Sequence, residues 1–345
     1  MENRTDLTDK MKELVIEEKA NETNWNNLPF EMKEMVVKEM TLDTRARLKT
    51  CSKSDKRLVE STPMLYETLK VRVDKYGEGM IYTFLFENKS DAVVFFLMTV
   101  DLHSGITIHR VRPDGPTWKF PCSSLEEGEN MVKKILTDFI FPKNLRFKTV
   151  HVCIDHPNVF ENDEFTIHTK HIEIEALPNQ VTGWLNKLAP GVESIRIVAE
   201  EFQFDGQVNG LGTIPAVINA QKLVISRDCD VTDAQLVNFK CTSIEIKEKS
   251  KITGKGINQL IKKAIANDYP VRSICIIYIN DDDEVMDRYR RQVYEGLEVK
   301  REHINDDESD EYDEYDESYI VMGRDKRISF WFTNLNGFTM RVDQF

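Results

Sequence analysis

Between Val152 and Cys275 the chain returns repeatedly to one short phrase, a residue flanked on both sides by isoleucine, as in Ile172-Glu173-Ile174, Ile195-Arg196-Ile197 and Ile244-Glu245-Ile246. The runs centre on Val152, Glu173, Arg196, Val224, Glu245 and Cys275, at intervals of 21, 23, 28, 21 and 30 residues. Short β-branched runs of this kind read as strands. Intervals this long leave room for a crossover, which parallel neighbours require and antiparallel ones do not. Two intervals carry helical spacing: Val181, Trp184, Leu185 and Leu188 in one, and Ile257, Leu260, Ile261, Ala264 and Ile265 in the other. The pattern predicts stacked strand-helix units, each burying its apolar face only against its neighbours. It predicts a curved, mainly parallel sheet with helices on the convex side.

The segments on either side read differently. Leu65, Leu69, Val71 and Val73 lead into the runs Met80 to Phe86, Ala92 to Leu102 and Ile106 to Val111, an antiparallel meander over 64–120 that closes at Pro113-Asp114-Gly115-Pro116. At strand spacing Phe84, Phe86, Phe95 and Phe96 are expected in its core. Residues 121–345 form the repeat-like α/β domain, entered by Ser123-Ser124-Leu125-Glu126, a reciprocal helix cap, and the stripe Val132, Ile135, Leu136 and Phe139. Asp281-Asp282-Asp283-Glu284 opens a helix through Val285, Met286, Tyr289 and Val293. Ser318 to Met322, Arg327 to Phe332 and Phe338 to Val342 read as a small terminal sheet. At the other end, 1–23 reads as a tail or short helix.

Residues 24–63 form a compact helical unit. Leu28, Met32, Met35 and Val36 fall at i, i+4, i+7 and i+8, one stripe of a helix that Pro29 is suited to open. Thr41 to Arg47 reads as a polar break, followed by short helices carrying Leu48, Cys51, Leu58 and Val59. About forty residues hardly make a core alone. Met and Leu on more than one face therefore point to cover from a partner or a following domain. Trp25 is suited either to pack beside the first helix or to touch such a partner.

The wording of that unit resembles the F-box, the three-helix motif that docks on the Skp1 adaptor of cullin-based ubiquitin ligases. The match is Leu28-Pro29-x-Glu31-Met32, then Leu48-x-x-Cys51-Ser52-Lys53 leading to Leu58-Val59. Cys51 to Pro63 is most similar to the expanded F-box families of nematodes. Pro190 to Ile197, Thr253 to Lys262 and Gly323 to Ile328 are similar to the F-box-associated domains that follow those F-boxes. The strand-helix period resembles leucine-rich-repeat-like stacking, without the Leu-x-x-Leu-x-Leu-x-x-Asn signature. The resemblance implies an α+β chain of F-box, meander and repeat-like domain. It implies a substrate-recruiting adaptor that binds a Skp1-like protein, and through it a cullin, by Leu28, Pro29, Met32, Met35, Val36, Leu48 and Cys51. The remainder would hold a protein target. The alternative is a scaffold that binds Skp1 or another helical partner without directing ubiquitylation.

Composition narrows the other classes. The net charge is −13, and Asp306 to Glu317 alone holds nine acidic side chains and no basic one, leaving −4 for the rest. Such a body offers no broad basic face, so nucleic acid is not an expected partner, and the acidic run is expected to stay solvated and disordered. Six cysteines without a Cys-x-x-Cys pair read as buried free thiols of a reducing compartment. No apolar run approaches the ~20 residues of a membrane span, and the start lacks a signal peptide, so an intracellular place, cytoplasm or nucleus, is expected. Gly254-Lys255-Gly256 lacks the frame of a phosphate loop, and Asp281 to Glu284 lacks the spacing of a calcium loop. No Glu or Cys completes a zinc motif around His168-x-x-His171. No cofactor, metal or catalytic residue is expected, and the chain reads as a non-enzyme.

Overall fold

A computed structural model describes residues 25–40, 42–76, 79–87, 94–101, 105–111, 117–120, 144–155, 165–199, 206–266, 269–276, 283–302, 315–323, 326–333 and 337–344, with isolated positions between 124 and 134. The chain divides into two compact units, Met1–Met64 and Leu65–Phe345. The segment 1–23, the stripe Val132 to Phe139 and positions 306–314 of the acidic run lie outside the described residues.

In the first unit a single 3-10 turn, Trp25–Asn27, precedes three helices: α1 (Phe30–Glu39), α2 (Leu42–Cys51) and α3 (Lys53–Ser61). Pro29 stands immediately before α1, its φ of −54° already helical. The expected polar break is corrected here, because most of Thr41 to Arg47 belongs to α2. Its polarity hides Arg45, which is 2% exposed. The guanidinium donates to the carbonyls of Thr62 at 2.9 Å and Pro63 at 3.3 Å, serving the chain just beyond α3. A buried cation is tolerated when carbonyl oxygens replace its water. Between the helices lies a small core of Val37, Leu58 and Val59, with Trp25, Met40 and Leu48 packed against it. Each fully buried aliphatic contributes roughly 1.5–3 kcal/mol.

The second unit is mixed α+β and built on one fifteen-stranded sheet. Its middle is six parallel strands: β6 (Leu145–Ile154), β7 (Thr169–Ala176), β8 (Ser194–Ile197), β9 (Lys222–Ile225), β10 (Ser243–Ile246) and β11 (Ser273–Ile276). All six sequence centres fall in these strands. Glu173, Arg196, Val224, Glu245 and Cys275 stand opposite one another in a single row. The flanking isoleucines explain this. Ile172, Ile174, Ile195, Ile197, Ile244, Ile246, Ile274 and Ile276 are no more than 2% exposed on one face of the sheet, so a slip of one residue would turn that set into water.

Helices stand in the four crossovers from β7 to β11, α4 (Pro178–Asn186), α5 (Pro215–Asn219), α6 (Asp233–Leu236) and α7 (Gly254–Ile265), and α8 (Asp283–Tyr294) follows β11. Of the expected stripes, Val181, Trp184 and Leu185 in α4 and Ile257, Leu260, Ile261 and Ala264 in α7 are sealed in the core. Thr232 and Gln235 form a reciprocal cap on α6. Near residue 124 the expected cap frame is shifted by one position, with the Glu127 N–H donating to Ser124 Oγ at 3.1 Å.

Antiparallel strands flank the parallel middle. On one side lie β1 (Met64–Tyr76), β2 (Gly79–Glu87), β3 (Val94–Asp101), β4 (Gly105–Val111) and β5 (Thr117–Phe120), in that order. The Pro-Gly break expected to close the meander instead connects β4 to β5, one strand more than the sequence suggested. Phe84 and Phe86 are fully buried, and Phe86 lies 5.2 Å from Tyr66 and 6.1 Å from Phe147 between ring centres. On the other side lie β12 (Lys300–Glu302), β13 (Tyr315–Met322), β14 (Lys326–Thr333) and β15 (Gly337–Gln344). These do not form a separate terminal sheet as expected. The last, β15, pairs antiparallel with β11 and so satisfies the backbone groups that β11 would otherwise leave open. Positions 315–317 of the acidic run belong to β13 and are strand.

Candidate functional site

The first helix places its apolar side chains on both sides. At about 100° per residue, Met32 and Met35 stand roughly 140° and 200° from Val37. Val37 is sealed in the core, whereas Met32 and Met35 are 44% and 47% exposed, with Phe30 at 58%. Of the residues singled out from the sequence, Pro29 is exposed and Leu28 and Val36 are half-buried. Leu48 packs inward against the core. Cys51 is exposed at the end of α2, its thiol lying 3.5 Å from the Arg47 carbonyl. The expected stripe is therefore largely the outward face of α1, and Leu48 belongs to what holds the helices together. Two residues escaped the sequence reading. Val37 is the inward anchor, marked only by its spacing to Met40, and Phe30 is the most exposed large apolar residue of the helix.

This face is supported from below by a polar network. Ser52 caps α3, accepting from the Asp55 N–H at 3.0 Å, and its hydroxyl donates to the Asp55 carboxylate at 2.6 Å. The Trp25 indole N–H donates to the other carboxylate oxygen at 2.8 Å. The Ser52 and Trp25 hydrogen bonds hold the Asp55 carboxyl below its usual range. Trp25 thus packs beside the helices and ties the turn before α1 to α3.

The second unit presents the other candidate surface, the sheet face opposite the isoleucines. His151, Glu173, Arg196, Glu245 and Cys275 lie half-exposed along one row. Glu173 bridges its neighbours, with 3.4 Å to His151 Nδ1 and 3.2 Å to Arg196. Lys247 pairs with Glu245 at 3.2 Å. Half-exposed pairs of this kind contribute little stability, but they set alternating charge along one row of the sheet face.

Burial pushes the Cys229 thiol up to about 11 and that of Cys241 up to about 12, so neither supplies a thiolate near neutral pH. His168 is held below its ordinary value by burial and by Arg146. Among the described residues no group of three or more His, Cys, Asp or Glu side chains is arranged to hold a metal ion. Nor is any described helix long and apolar enough to cross a membrane. The Gly254-Lys255-Gly256 segment has a packing cause. A methyl group on Gly254 would overlap the Tyr289 carbonyl, and one on Gly256 would overlap the Asp233 carboxyl, which itself accepts from the Thr253 N–H at 2.7 Å.

No family model matches the chain, and no curated protein or solved structure is similar to it.

Proposed function

We propose that the chain is the substrate-recruiting subunit of a Skp1–cullin–F-box ubiquitin ligase, acting in the cytoplasm or nucleus. In this reading the first unit docks a Skp1-like adaptor, and through it a cullin, while the second grips a protein target. The observation that supports it best is the outward face of α1. Met32 and Met35 stand in solvent on a helix whose core anchor, Val37, is completely buried. Large apolar side chains on one helix face suit a groove in a partner. The half-exposed charged row of the sheet is the surface assigned to the target. The protein itself breaks no bond. It raises the effective concentration of the target beside a ubiquitin-charged partner.

The test is co-purification of the full chain with a Skp1-like adaptor, followed by reconstituted ubiquitylation. Met32→Asp with Met35→Asp abolishes recovery of the adaptor and leaves the circular-dichroism spectrum unchanged, and Leu28→Ala with Pro29→Ala does the same. Full recovery with either double variant overturns the assignment. Recovery of the adaptor without ubiquitin transfer reduces the protein to a scaffold.

A further inference from the structure

Where β11 pairs with β15 through Ser273 and Arg341, a cleft of about 670 Å³ opens beside the strand ends. Pockets for small molecules measure roughly 300–1,000 Å³. Its walls carry three cations, Arg272, Lys326 and Arg341, against one acid, Asp343. That acid is committed, because the Arg341 Nε lies 2.9 Å from its Oδ1. Among the described residues neither Arg272 nor Lys326 has an ion-pair partner.

Lys326 is the unusual member, because it is only 9% exposed and yet lines the cleft. A lysine held this close to the core beside an open cleft can present its charge to an anion that enters there. The Tyr269 hydroxyl is turned away to the Leu236 carbonyl, to which it donates at 2.8 Å. Tyr269 therefore offers the cleft its ring, beside Pro270, Val271 and Val342.

We propose that this cleft binds a small phosphomonoester, its phosphate between Lys326 and Arg272 and its organic body on Pro270, Val271 and Val342. The lining carries a net charge of +2, from Arg272, Lys326 and Arg341 against Asp343. That matches the charge of about −1.5 to −2 of a phosphomonoester near neutral pH better than a single carboxylate. The guanidinium fork of Arg272 suits phosphate oxygens, and the lysine acts as a point charge. The cations converge in one cleft and do not spread into a stripe, which disfavours nucleic acid and membrane surfaces. The site is independent of the α1 face and stands whether or not the adaptor reading does.

Isothermal titration of the full chain with phenyl phosphate tests it, with inorganic phosphate, benzoate and a phosphoserine heptapeptide as comparisons. Phenyl phosphate binds with a Kd below about 1 mM, and benzoate at least roughly tenfold more weakly. Lys326→Met keeps the apolar stem and weakens phenyl phosphate about ten- to a hundredfold, the worth of one charge-assisted hydrogen bond. Arg272→Gln, on the exposed rim, weakens it at least about fivefold and decides the matter if Lys326→Met fails to fold. No binding of phenyl phosphate, equal binding of benzoate, parental affinity in both variants, or tighter binding of the phosphopeptide each overturns the proposal.

Discussion

Replacing Trp25 by Phe isolates one hydrogen bond in the helical unit. The ring stays on the Val37, Leu58 and Val59 core, while the indole N–H that reaches Asp55 Oδ1 at 2.8 Å is lost. A hydrogen bond to a charged group contributes about 1.5–3 kcal/mol. Trp25 is half-buried, so the lower part of that range, about 1.5–2 kcal/mol, applies. Hydrogen exchange followed by mass spectrometry on the full chain reads the effect locally. Peptides across 42–61 exchange roughly ten- to thirtyfold faster, while those across α7 do not change. The same bond has a pH signature. A carboxyl whose folded value is depressed stabilises the fold above its unfolded value of about 3.9, and that stability is lost as pH falls through the folded value. The parent's α3 therefore opens more readily below about pH 4, and Trp25→Phe flattens the fall because part of the depression is gone. A change smaller than about twofold at neutral pH, or an identical acid profile in both proteins, refutes the reasoning.

Three further outcomes follow from the packing. Arg45→Met leaves the Thr62 and Pro63 carbonyls without their donor and destabilises the first unit by about 2–4 kcal/mol, read by the same exchange experiment. Gly254→Ala drives a methyl into the Tyr289 carbonyl and lowers the urea midpoint of the second unit, at about 1–3 kcal/mol, whereas Gly183→Ala, with open space around it, does not. In thiol labelling at pH 8, exposed Cys51 reacts ahead of half-buried Cys153 and Cys275. Buried Cys229 and Cys241, their thiols pushed up to about 11 and about 12, react only on unfolding.

The parallel middle was legible because its phrase is redundant. In Ile195-Arg196-Ile197 the two isoleucines fix the buried face, and the interval to the next such phrase fixes the crossover. Strands without that redundancy were not. Lys300-Arg301-Glu302 carries no apolar alternation, and β5 is four residues beyond a Pro-Gly break, so each is strand only because a neighbour offers it hydrogen bonds. In α1 the period was legible and the inward anchor was not. Apolar residues surround the helix, so spacing alone could not say that Val37 turns in while Met32 and Met35 turn out. Arg45 was unreadable for the opposite reason, since a buried arginine looks like any surface one until the carbonyls it serves are brought near. The cleft at Lys326 joins residues from β11, β14 and β15, and no local pattern announces it.

The seat of β15 against β11 sets the order of assembly. Thr339 and its partner Cys275 are 64 positions apart, and the hydroxyl of one reaches the sulfur of the other at 3.5 Å. A nascent chain that has already stacked its parallel units must therefore wait, with a raw flank of unpaired peptide groups, for a much later segment to arrive and seal it. Until then that flank is the place where two half-made molecules would join each other.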